Sequence, residues 1–86
     1  MSTQQIQGTI KTRMAVLVFC KDVSTPMVLY FDNAQKVYED LKALINSTEI
    51  KMVEFEPTGP IKKASLLSSN IVGVALQEER YLSQEQ

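Results

Sequence analysis

The sequence predicts an α+β domain: a mostly antiparallel sheet in the order β-β-α-β-β-β, with one amphipathic helix packed on one face. Three observations carry this. Apolar residues recur at helical spacing along one stretch only, from Ala34 to Ile45. The flanking segments alternate in polarity or run apolar over strand-length stretches. Clusters of Ser, Thr, Asn, Asp, Gly and Pro separate them with turn chemistry.

The first strand is expected from about Ile6 to Cys20. Ile6, Gly8 and Ile10 alternate with Gln7, Thr9 and Lys11, and from Met14 to Cys20 every residue is apolar. Such a run belongs to a strand covered on both faces, and Val16, Val18 and Phe19 favour strand over helix. Lys21-Asp22-Val23-Ser24-Thr25 reads as the turn of a hairpin. Pro26 then opens a second strand, Met27–Phe31, at a position where proline is tolerated.

Asp32 is read as the helix N-cap, with Gln35 at capping-box spacing. Ala34, Val37, Tyr38, Leu41, Leu44 and Ile45 form one apolar stripe. Asn46-Ser47-Thr48 ends it. A third strand follows at Ile50–Glu56 with Val53 and Phe55 inward. Glu56-Pro57-Thr58-Gly59 has type I turn chemistry, Pro second and Gly fourth. A fourth strand at Ile61–Leu67, a tight turn at Ser68-Ser69-Asn70 and a fifth strand at Ile71–Leu76 complete the reading. In the fifth, Val72, Val74 and Leu76 share one face and Gly73 and Ala75 the other. The chain reads as one domain over residues 1–86, with residues 1–4 and 82–86 expected to fray.

The counts exclude much. At 86 residues the chain buries only about 60–65% of its unfolded surface, too little for a deep cavity around a large cofactor. No cofactor is expected. There is no His and a single Cys, so no intrachain disulfide, no His- or Cys-based structural zinc set and no Ser-His-Asp or Cys-His catalytic group can form. The single thiol favours a reducing setting, and a cytoplasmic location is expected. The apolar run Met14–Cys20 is far shorter than the ~20 residues of a membrane helix, so no membrane partner is expected. Formal charge is −1, with nine basic and ten acidic residues interleaved. No segment carries the basic excess of a nucleic-acid surface, and no nucleic-acid partner is expected.

The stretch Asn33–Glu79 resembles a small uncharacterised protein family of photosynthetic bacteria and plastids. The residues behind the resemblance are Val37-Tyr38, Leu41 and Leu44, then Val53-Glu54-Phe55-Glu56, then Ala64-Ser65-Leu66-Leu67-Ser68-Ser69-Asn70-Ile71 leading into Val72–Leu76. They cover a little over half of the chain, which has more sequence before its first hairpin than that family. The family has no assigned activity, so the resemblance implies topology and intracellular location only.

Individual candidates have bland readings. Cys20 ends an apolar strand and reads as a small buried hydrophobe, lacking a neighbouring base to activate it. Glu54 and Glu56 share a strand face and read as a solvated outer surface, with no third ligand beside them. Glu78-Glu79-Arg80-Tyr81 reads as a solubilising terminus with Tyr81 and Leu82 folding back, and alternatively as a docking tail. Of the adjacent Tyr30 and Phe31, at most Tyr30 faces outward. Gly8, Gly59 and Gly73 are too scattered for a phosphate loop.

One feature has no internal solution in this reading. The first two strands are apolar on both parities, and one helix covers one face. Leu17, Phe19, Val28 and Tyr30 oppose Val16, Val18, Leu29 and Phe31. Either the sheet curls into a partly closed barrel, or one set meets another molecule, because monomers seldom leave several hundred Å² of contiguous apolar surface in water. The expectation is a non-enzymatic interaction or structural domain that self-associates through Leu17, Phe19, Val28 and Tyr30 as a homodimer or other homo-oligomer, with a further protein partner. The alternative is a small-ligand or regulatory module with its ligand at a subunit interface or sheet mouth. No catalytic, cofactor or metal residues are assigned.

Overall fold

The structure, a computed structural model, describes residues 8–84. The elements run β1 (Gly8–Cys20), β2 (Met27–Tyr30), α1 (Ala34–Ile45), β3 (Met52–Phe55), β4 (Ala64–Leu67), a 3-10 turn at Ser68–Asn70, and β5 (Ile71–Gln84). This is the β-β-α-β-β-β order expected, and the α+β class with it. All pairings are antiparallel, in a three-stranded sheet β2-β1-β5 and a two-stranded sheet β3-β4. No barrel closes among the described residues; sheet β2-β1-β5 ends at two edges. Ile6, and the expected frayed residues 1–4 and 85–86, lie outside the described residues.

The register settles which apolar set meets the helix. Val16 lies between Leu29 on β2 and Leu76 on β5, and Val18 between Met27 and Val74. Val16, Val18 and Leu29 are buried together with Ala34 and Leu41 of α1, Phe55 and Ile71. Val37, Leu44 and Ile45 pack against this cluster, so the helical stripe faces the sheet as its spacing required. Tyr38 stays half-buried on the flank of the helix.

The helix start differs from the sequence reading. Asn33, not Asp32, is the N-cap residue, and no side chain caps the first turn. Asp32 sits one residue earlier in a turn. Gln35 donates instead to Glu39 Oε2 at 3.0 Å, one turn on, so the capping box is not made. The end is as expected: Asn46 caps backbone carbonyls and Ser47 Oγ donates to the Leu44 carbonyl at 2.9 Å.

The β3–β4 connection is not the tight hairpin its turn chemistry suggested. Strand pairing stops at Phe55–Ala64, and the Thr58 N–H bonds the Tyr30 carbonyl at 2.7 Å. The Pro57–Gly59 segment is therefore tied to the end of β2. Buried Ser68 ties the far end of this sheet down: its Oγ accepts from the Lys51 N–H at 2.9 Å and donates to the Glu49 carbonyl at 3.2 Å.

The largest departure is β5. It continues past Leu76 to Gln84, pairing Gln77 with Ala15, Glu79 with Arg13, Tyr81 with Lys11 and Leu82 with Ile10. Glu78–Tyr81 is thus strand, and Leu82–Gln84 are paired rather than loose. β2 flanks β1 only over Ala15–Val18, so the other half of the β1–β5 ribbon projects from the body. The Cα radius of gyration is 16.6 Å, against about 12 Å for a compact chain of this length. A register shift between Phe19 and Cys20 makes Val72 the extra residue of a bulge, 58% exposed and off the face of Val74 and Leu76.

Candidate functional site

The sheet face turned away from α1 gathers the four residues singled out in the sequence. Leu17 and Val28 are cross-strand partners, Phe19 follows Leu17 on the same side, and Tyr30 stands opposite Ala15. β5 adds Gly73 opposite Phe19 and Ala75 opposite Leu17. None of Leu17, Phe19, Val28 and Tyr30 belongs to the core or packs against it. Phe19 is 37% exposed; Leu17, Val28 and Tyr30 are half-buried by their neighbours. The Phe19 ring lies along Gly73, where an added Cβ would sit 3.7 Å from it, so the small residue accommodates the chain's own aromatic.

The face changes character along β1. At the Phe19 end it is apolar. At the Arg13 end it becomes a polar cluster that binds strands far apart in sequence. Arg13 Nε donates to Glu79 Oε1 at 3.2 Å, and Arg13 Nη2 to the Tyr30 hydroxyl at 3.2 Å. That hydroxyl donates to Glu79 Oε1 at 3.1 Å, and Gln77 Nε2 donates to Glu79 Oε2 at 3.0 Å. The guanidinium carbon lies 4.0 Å from the Tyr30 ring centroid and 5.2 Å from that of Tyr81. Tyr30 is therefore engaged within the chain by ring and hydroxyl, whereas Leu17, Phe19 and Val28 have no comparable tether. Arg13, Glu79 and Tyr81 are not legible as a group in the sequence, because Arg13 and Glu79 stand 66 positions apart.

A second feature lies on the helix side. An open groove of about 670 Å³ runs between α1 and β3, with Val37, Leu41, Leu44, Val53 and Phe55 among its lining residues. Asp40, Glu49, Glu54 and Glu56 also line it, with Lys51. Glu54 pairs with Lys63 at 3.8 Å and is exposed, as a solvated outer residue should be. Cys20 is a half-buried free thiol against the core. Among the described residues no three acidic or thiol side chains cluster to hold a metal ion. None of the helices described is long and apolar enough to cross a membrane.

Compared with known proteins, the chain matches no family model, and no curated protein or solved structure matches it.

Proposed function

We propose that this chain is a non-enzymatic interaction domain, working in the cytoplasm, that self-associates through the sheet face turned away from α1. One observation carries the reading. Leu17, Phe19, Val28 and Ala75 lie side by side on a three-stranded sheet, outside the core, while the helix occupies the opposite face. A symmetric pair would let one patch serve both copies and remove it from water. The Arg13–Glu79–Tyr30 cluster bounds the patch with a fixed polar rim, the usual anatomy of an interface. The test is sedimentation mass against concentration. A mass of at least twice 9.7 kDa is expected at high micromolar concentration, falling at least two-fold in Phe19→Asp. A folded wild-type chain of single mass throughout would refute it.

A second reading rests on the α1–β3 groove. Its apolar lining suits a small ligand, and its volume lies within the range of small-molecule sites. A ligand there should perturb Val53 and Leu44 resonances and leave Phe19 unmoved.

A further inference from the structure

We propose that the outer edge of β5 is a second self-association surface, on which β5 of another copy adds antiparallel to make a continuous six-stranded sheet. This goes beyond the face reading and does not depend on it. The two edges of sheet β2-β1-β5 are built differently. The β2 edge is blunted: the strand has four residues, Pro26 precedes it, and Thr58 already occupies the Tyr30 carbonyl. The β5 edge runs for 14 residues without a proline or lysine, and among the described residues no strand pairs with it. A long strand left in this state presents a row of free backbone donors and acceptors to another strand.

The sequence of β5 is self-complementary in one register. A two-fold axis normal to the sheet keeps faces matched, so partners must share parity. Centred on Glu79, it sets Glu78 opposite the second copy's Arg80, and Arg80 opposite its Glu78. Neither residue enters an ion pair among the described residues of one chain, and both are exposed. The same register places Leu82, 45% exposed, beside the second copy's Leu76, which packs against the core under α1. The projecting Ile10–Leu82 pair, 70% and 45% exposed, would then extend a neighbouring core. Glu79 faces its own copy, but each carboxylate is already held by Arg13 and the Tyr30 hydroxyl. Centring on Glu78 or Arg80 instead opposes an uncompensated like charge to itself and sets Arg80 against Leu76 or Glu78 against Leu82.

Charge reversal tests this directly, in a Phe19→Asp background that removes the face contact. Phe19→Asp alone should sediment at twice 9.7 kDa through the edge. Adding Glu78→Arg, or Arg80→Glu, puts like charges across both pairs and should halve the mass. Adding both restores opposite charges and should restore the dimer. A folded Phe19→Asp chain of single mass, or a dimer indifferent to either reversal, overturns the edge proposal. A Phe19→Asp mass equal to wild type overturns the face reading alone. Should Phe19→Asp fail to fold, the same reversals in the wild-type chain, both at exposed positions, should lower the assembly mass at least two-fold and recover it together; unchanged mass overturns the proposal.

Discussion

The guanidinium of Arg13 lies 4.0 Å from the centroid of the Tyr30 ring while two of its nitrogens reach Glu79 and the Tyr30 hydroxyl. One side chain thus joins β1, β2 and β5 where the projecting ribbon leaves the body. Partly exposed cation–π and ion-pair contacts contribute about 0.5–1 kcal/mol each. Arg13→Met should therefore lower stability by about 1 kcal/mol in urea unfolding. Arg13→Lys should recover little of it, because an ammonium lacks the planar fork that stacks and donates together.

Gly59 borders the same ring. A Cβ at this position would lie 2.7 Å from Tyr30 Cδ2, and the ring has little freedom to yield because its hydroxyl and face are both engaged. Gly59→Ala should cost about 1–3 kcal/mol, as overpacking does. With Tyr30→Val the obstacle is gone, so the double variant should be more stable than the sum of the two single effects. Additivity in urea unfolding would mean the segment Thr58–Gly59 moves aside freely.

At the helix, three substitutions separate packing from capping. Leu41 is buried under the sheet, so Leu41→Ala should cost about 2–5 kcal/mol. Lys42→Ala should cost under about 0.5 kcal/mol. Asp32→Ala should also be near neutral, since Asn33 is the cap residue and no side chain caps the turn. A loss of about 1 kcal/mol on Asp32→Ala would show that its carboxylate caps the helix in solution.

What the sequence made legible follows the range of the interactions. The helix stripe and the inward parity of Val53 and Phe55 depend on local spacing, and both stand. The four residues Leu17, Phe19, Val28 and Tyr30 share a face because side chains alternate along each strand; only the register, Leu17 opposite Val28, had to come from the structure. The cap failed because Asp32 and Asn33 are both good N-cap residues, and local chemistry does not choose between neighbours. The length of β5 failed for a different reason. Gln77–Ser83 is mostly polar and charged, with Leu82 its one aliphatic residue, so it carries no core signature. What makes it strand is its pairing with Gly8–Ala15, more than sixty residues away.

Ser68 offers a test of how the small sheet is anchored. Its hydroxyl serves the Lys51 N–H and the Glu49 carbonyl, and the residue is buried. Ser68→Ala leaves a backbone donor short of its partner and should cost about 1–3 kcal/mol. Ser69→Ala, at the exposed neighbour, should change stability by less than about 0.5 kcal/mol.

The last prediction concerns the gradient along β1. Amides of Ala15–Val18 lie in a strand paired on both sides and covered by α1 on one face. Amides of Gly8–Arg13 lie in the projecting ribbon, where β5 is the sole partner strand among the described residues and Ile10 lies opposite Leu82. An isolated two-stranded ribbon is marginal in water, so this half opens without unfolding the body. Hydrogen exchange at low micromolar concentration should show the slowest amides at Ala15–Val18, exchanging through global unfolding. Protection should fall stepwise toward Gly8 and, on β5, from Leu76 toward Gln84. Equal protection along the whole of β1 would mean the ribbon opens only with the core. That outcome at low concentration would require the ribbon to be an integral part of the folded body rather than an arm standing on it.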